Sequence, residues 1–161
     1  MTVYKHQHKT AENLCELRDC APDVEWLPVL QGWAPQQYID HIRIYERYGI
    51  NLSMEKLVGV GSVAARQLSP AIPEIFTRLN DAGLHLHGFG LSHIGLARVG
   101  HYLQSADSMV WSFVARRRRI KHPQCRIPHL TCNNCRTFAL AWRRNLLSQL
   151  NAAISLPHHN A

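Results

Sequence analysis

The stretch LVGVGSV at residues 57–63, followed by an amphipathic segment and then by LHLHGF at 84–89, decides the fold. Each is a short, largely apolar run, as expected of a strand covered on both faces in a parallel sheet. Between them, Ile75, Phe76 and Leu79 fall on one helical face from about Pro73 to Ala82, and Gly83 follows as a stop. The same unit recurs outward. Upstream, Glu25 to Leu30 leads to a helix that opens at Pro35, carries Tyr38, Ile39, Ile42, Tyr45 and Tyr48, and closes at Gly49. Downstream, a helix from about Ile94 to Gln104 leads to a fourth apolar run, Ser108 to Val114. The runs start at 25, 57, 84 and 108, so successive starts are 32, 27 and 24 residues apart, the length of a βα unit. Thr10 to Cys20 and Cys135 to Leu150 read as further helices. The expected fold class is α/β with about four parallel strands. Such a sheet is either half of a TIM (β/α)₈ barrel or a small, open, doubly wound sheet.

An apolar fraction of 46% with 18% charged residues excludes a disordered chain, and 161 residues suffice for a buried core. No run of eighteen apolar residues is present, and MTVYKHQHKT at the N-terminus lacks the apolar heart of a signal peptide, so the cytoplasm is the expected location. Five cysteines in such a chain point to metal or catalysis rather than to disulfides. The formal charge of +7 is concentrated: Arg116, Arg117, Arg118, Arg119, Lys121 and Arg126 crowd together, with Arg136, Arg143 and Arg144 close behind. Such a block suits a polyanion, because each neutralised phosphate releases a counterion. The plainer alternative is a solvated basic face.

In a parallel α/β sheet the functional groups gather at the C-terminal ends of the strands. Those ends read LQGW (30–33), GVGSV (59–63), HGFG (87–90) and SMVWS (108–112). Three carry glycine, which lets a flat ligand approach bare backbone. Asp107 is the carboxylate beside the fourth run, and burying it unused is costly, so it is the candidate nucleophile. Its alternative role is to cap a turn or pair with an arginine. Cys125, His129, Cys132 and Cys135 form C-x3-H-x2-C-x2-C, a donor set suited to tetrahedral structural zinc. His122, His158 and His159 compete with His129 for the fourth position, while Cys15 and Cys20 read as packed thiols.

The motifs PVLQGW (28–33), LVGVGSV (57–63), LHGFG (86–90), SADSMVWS (105–112) and ARR (115–117), with CNNCRTFALAWR (132–143), together resemble the DpdA family of deazapurine DNA modification proteins. These are relatives of the tRNA-guanine transglycosylases. The resemblance runs from about Tyr4 to Leu150. It implies a (β/α)₈ barrel that exchanges guanine for a 7-deazaguanine such as preQ0, in DNA for DpdA and in tRNA for its relatives. Asp107 matches the aspartate that attacks the sugar C1′ and holds a covalent glycosyl intermediate. Gln31 and Gly32 match the Gln-Gly turn beside the base pocket, and Gly59 and Gly61 match the next strand's glycine turn. His87 and Gly88, at the end of the third run, complete the expected substrate-binding set. Arg116, Arg117, Arg118 and Arg119 match a position suited to backbone phosphates. A base in duplex DNA must leave its stack to reach such a pocket.

Relatives have eight strands, whereas this sequence holds the last four and lacks the family's second, acid/base aspartate. Two open parallel edges are expected, and with them either self-association or a partner that supplies the N-terminal half. The expected division is a half barrel over 1–120 and a zinc-binding segment with its helix over 121–161. The alternative function is a non-catalytic, nucleic-acid-binding zinc module, or the partner subunit of a split transglycosylase.

Overall fold

A computed structural model describes residues 2–154. The chain forms two compact units, Met1–Asp107 and Ser108–Ala161. The first contains α1 (Val3–Cys20), β1 (Val29–Leu30), α2 (Pro35–Arg47), β2 (Val58–Val60), α3 (Ala71–Asp81), β3 (Leu86–Gly88), α4 (His93–Val99) and β4 (Leu103–Ala106). The second contains α5 (Val110–Arg117) and α6 (Arg136–Ile154). The sequence puts the division after residue 120; the observed units meet thirteen positions earlier, so that α5 falls with the cysteine segment.

All four strands are parallel and lie in the order β1-β2-β3-β4. Parallel crossovers are right-handed, so a sheet that never reverses its order carries its connecting helices on one face. Accordingly α2 packs beside α3, and α3 beside α4. This is the winding of a β/α barrel. A doubly wound sheet reverses at a switch point, and this one does not.

The core lies between strands and helices. Tyr38, Ile44 and Tyr45 of α2 and Ile72, Ile75, Phe76 and Leu79 of α3 close over Val58, Val60 and Leu86, all buried. Truncating a ring such as Phe76 to alanine costs about 3–5 kcal/mol. Gly49 ends α2 at φ 75°, with the amide of Ile50 bonded back to the Tyr45 carbonyl at 3.0 Å and that of Gly49 to Glu46 at 3.0 Å. This left-handed closure turns Ile50 into the core; Gly83 and Leu84 repeat it after α3.

The fourth strand departs from expectation. Ser108–Val114 predicts a strand, but residues 110–117 are helical, and the strand is Leu103–Ala106. The reason is visible in the spacing. Ser112 and Ala115 are buried three apart on one face of α5, whereas β4 is an edge strand whose Gln104, Ser105 and Ala106 are exposed and carry no apolar signature. The helix expected to reach Gln104 therefore stops at Val99.

The two edges of the sheet are unequal. On the outer side of β1, the Val29 amide donates to Tyr45 Oη (3.1 Å), and that hydroxyl donates to the Val29 carbonyl (3.0 Å). The Gln31 amide donates to His41 Nδ1 (3.0 Å), and Gln7 Nε2 donates to the Gln31 carbonyl (2.7 Å). Gln7, His41 and Tyr45 are all buried. Burial pushes the Tyr45 phenol up to about 12 and the His41 imidazole down to about 4, so both stay neutral. Only β4 thus remains of the two open edges expected from the sequence; among the described residues no side chain bonds to its outer backbone.

Candidate active site and metal centre

Strand register defines the face of the sheet turned away from the helices. Val29 pairs with Gly59, Gly59 with His87, and His87 with Ser105, forming one row across four strands. Side chains two residues on share that face, which gives a second row of Gln31, Gly61, Phe89 and Asp107 nearer the C-terminal ends. Ladder bonds continue there: Gly61 N–H donates to the Leu30 carbonyl (2.9 Å), Phe89 N–H to Val60 (3.4 Å) and Asp107 N–H to Gly88 (3.3 Å).

The placement of Asp107 depends on a register shift. Leu86 pairs with Leu103 but His87 pairs with Ser105, leaving Gln104 as the extra residue. Such a bulge exchanges the faces of everything after it. Without it, Ser105 and Asp107 would point among the helices. With it, they join His87: Ser105 Oγ lies 2.8 Å from His87 Nδ1, and His87 Nε2 lies 3.9 Å from Asp107 Oδ1.

Asp107 is exposed, and its Oδ1 accepts a bond from the Gly90 amide at 2.6 Å. That amide is aimed by a turn in which Gly90 adopts φ 64°. A Cβ at Gly90 would also sit 2.9 Å from that of Ala64, so glycine is required twice over. One carboxylate oxygen is thereby fixed, and Oδ2 is left to other partners.

The floor beside it is shaped by glycine. A Cβ at Gly59 would lie 2.4 Å from Phe89 Cε2, so the Phe89 ring rests on bare backbone, edge-on to His87 with centroids 4.7 Å apart. A Cβ at Gly61 would meet Gln31 Cγ at 3.4 Å. Gln31, Gly59, Gly61, His87 and Asp107 are thus brought to one face. Gly32 and Gly88 are not: each faces the helix side, where a Cβ would press on the Tyr38 ring at Gly32 and on Leu91 at Gly88. Their service is close packing. Ser105 and Phe89 belong with the site, and the sequence reading omits them. The signal was available for Ser105, two residues before Asp107, once a strand is recognised over 103–106.

In the second unit, Cys125, His129, Cys132 and Cys135 place one donor atom each within 4.8 Å of one another. Cys125 Sγ lies 3.3 Å from Cys135 Sγ and 3.4 Å from His129 Nε2, which is 3.1 Å from Cys132 Sγ. A disulfide needs about 2.05 Å, so these are clustered thiols. The three cysteines are buried, and the Cys132 sulfur accepts the His122 amide at 3.2 Å. Backbone amides at the start of α6, Phe138 first, hold the Cys135 thiol down at about 7, toward the thiolate that a metal requires. The residues therefore fit a four-coordinate ion such as zinc. His129 enters the cluster, whereas His122 accepts the Gln124 amide at 3.3 Å; His158 and His159 lie outside the described residues.

Arg116 and Arg117 occupy the last turn of α5, Arg118 caps it, and Arg119 follows at φ 52°; all four are exposed. Among the described residues no helix is long and apolar enough to cross a membrane. Searches among curated proteins and among solved structures gave no match. The family described as "DpdA: DeoxyPurine in DNA protein A" matches residues 1–159. A match over nearly the whole sequence, on a barrel-wound sheet with a metal-competent cysteine cluster, shows that the chain belongs to the DpdA family and thus to the deazapurine modification of DNA.

Proposed function

We propose that this chain carries the nucleophile of a base-exchange reaction that replaces guanine in DNA by a 7-deazaguanine such as preQ0. The observation that carries this reading is Asp107. It is an exposed carboxylate with one oxygen held by the Gly90 amide, on the same face as His87 and the glycine floor of Gly59 and Gly61. Attack by the Asp107 carboxylate on C1′ forms a glycosyl ester as the C1′–N9 bond breaks, and guanine leaves with that electron pair and takes up a proton. The incoming base loses its N9 proton, attacks C1′ from the opposite side and expels Asp107. Two inversions restore the original configuration.

His87 lies beside the carboxylate with Nδ1 engaged by Ser105, so its Nε2 is presented to the base or to the proton in transit. Gln31, at the end of β1, has its Nε2 at 3.5 Å from Thr10 Oγ1, which leaves its Oε1 to the base edge. Arg116 to Arg119 are assigned to backbone phosphates, and the metal held by Cys125, His129, Cys132 and Cys135 is zinc with a purely structural role, because a closed four-donor set leaves no open position. The cytoplasm is the compartment in which such a DNA enzyme works.

The test is incorporation of labelled preQ0 into duplex DNA and, separately, into tRNA, by the wild type and by Asp107→Asn. Exchange into DNA by the wild type alone supports the reading. Exchange retained in Asp107→Asn would remove Asp107 as nucleophile. The exposed arginine cluster favours a second reading, a nucleic-acid-binding module without chemistry. DNA binding by folded, metal-loaded protein with no exchange would select it.

A further inference from the structure

We propose that the Trp33 indole is a stacking platform for a DNA base that flanks the one being exchanged, an inference that rests on the base-exchange reading. Trp33 is 67% exposed, unusual for so large an aromatic ring. Yet its backbone is held by several bonds. The amides of Trp33 and Ala34 both donate to Gln37 Oε1, at 2.7 and 3.0 Å. The Gly32 carbonyl accepts from Tyr38 Oη (3.0 Å) and Arg66 Nη2 (3.2 Å), and the Trp33 carbonyl accepts from Arg66 Nη1.

Arg66 is itself fixed. Its Nε donates to the carbonyl of Ser62 at 2.8 Å, a residue held at φ 59°, where non-glycine residues rarely lie. Its guanidinium sits over the indole with Cζ 4.5 Å from the ring centroid. One face of the ring is therefore covered by a pinned cation, and the ring remains largely open to water. This is a prepared surface: the ordering that a stacking partner would otherwise impose is already done.

Flat heteroaromatic bases are the chemistry that suits it, since stacking on an aromatic side chain tolerates any base and a basic protein supplies the phosphate attraction. Position identifies which base. Trp33 follows the C-terminal end of β1, and Asp107 follows that of β4, the other edge of the sheet. Three strand spacings make that about 14 Å between backbones, with the Gly59 and Gly61 floor and His87 lying between. The base on the sugar at Asp107 is accommodated over that nearer floor, which leaves Trp33 to a neighbouring base displaced with it.

The experiment uses the full chain with duplex DNA carrying 2-aminopurine at successive positions around a target guanine, reading fluorescence and affinity together. The wild type should quench the probe at one flanking position. Trp33→Ala should abolish that quenching and weaken binding on the order of tenfold or more, while Trp33→Phe restores most of both. The unfolding midpoint of Trp33→Ala should fall only slightly, because the hydrogen bonds of Arg66 reach backbone and Tyr38 and only its contact with the ring face is lost. Unchanged quenching and affinity in Trp33→Ala, or a wild type that does not bind DNA, overturns the proposal. Trp33-dependent quenching without preQ0 exchange would leave stacking standing and reject base exchange; exchange with Trp33-independent binding would do the reverse.

Discussion

Acid should weaken the first unit through one histidine. His41 is fully buried, receives the Gln31 amide on Nδ1 and has the Gln7 carbonyl 3.1 Å from Nε2. Both contacts are met only by the neutral ring with its proton on Nε2. Burial lowers its proton affinity from the ordinary 6.5 to about 4. Between those pH values the unfolded chain has bound a proton that the fold refuses, so stability falls as pH falls, and the loss saturates below about 4. Two and a half pH units at roughly 1.4 kcal/mol each give about 3.5 kcal/mol, an upper figure for one group. His41→Asn offers an oxygen near the Nδ1 position and does not titrate. It should be less stable than wild type at pH 7 by about 1–3 kcal/mol. Its urea midpoint, followed by circular dichroism from pH 7 to 4, should then decline less steeply, and the two curves should converge. Metal release in acid is common to both proteins and cancels in the difference. Parallel curves over this range would refute the argument.

Chelating the metal, or the change Cys132→Ser, should melt α6 and lower far-ultraviolet ellipticity, since structural zinc contributes folding free energy directly; a metal-free protein with unchanged helix content and melting would count against a structural ion. Replacing Arg116, Arg117, Arg118 and Arg119 by Gln should flatten the dependence of log K for DNA on log salt by about 0.9 for each phosphate contact removed, and an unchanged slope would move the interface elsewhere. Gly59→Ala should displace the Phe89 ring, destabilise the chain by about 1–3 kcal/mol and depress preQ0 exchange; a variant as stable and as active as wild type would show that the floor is soft.

The legible parts of the sequence are those where burial writes a pattern. β1, β2 and β3 stand out because Leu30, Val58, Val60 and Leu86 are buried between layers. The cysteine cluster stands out because short-range spacing alone brings its donors together. β4 was hidden because its side chains face solvent, and the adjacent Met109–Ala115 run imitates a strand while its buried positions are spaced as in a helix. The bulge at Gln104 has no local signature, although it decides which way Asp107 points. Spacing already favoured His129 as the fourth donor, and the loop geometry brings it, not His122, into the cluster; the bonding of Gln7, His41 and Tyr45 to β1 instead joins residues across whole helices, beyond any spacing rule.

That bonding makes the sheet one-ended. Closing a cylinder of strands from two copies of a half needs two junctions, each joining β1 of one copy to β4 of the other. Here the β1 side of either junction would have to surrender the Tyr45, His41 and Gln7 bonds before a neighbouring strand could take their place. The same blockade forbids head-to-tail stacking into a filament, because every link in such a chain consumes one β1. Growth by strand addition has a single direction, past β4, and it begins next to Asp107.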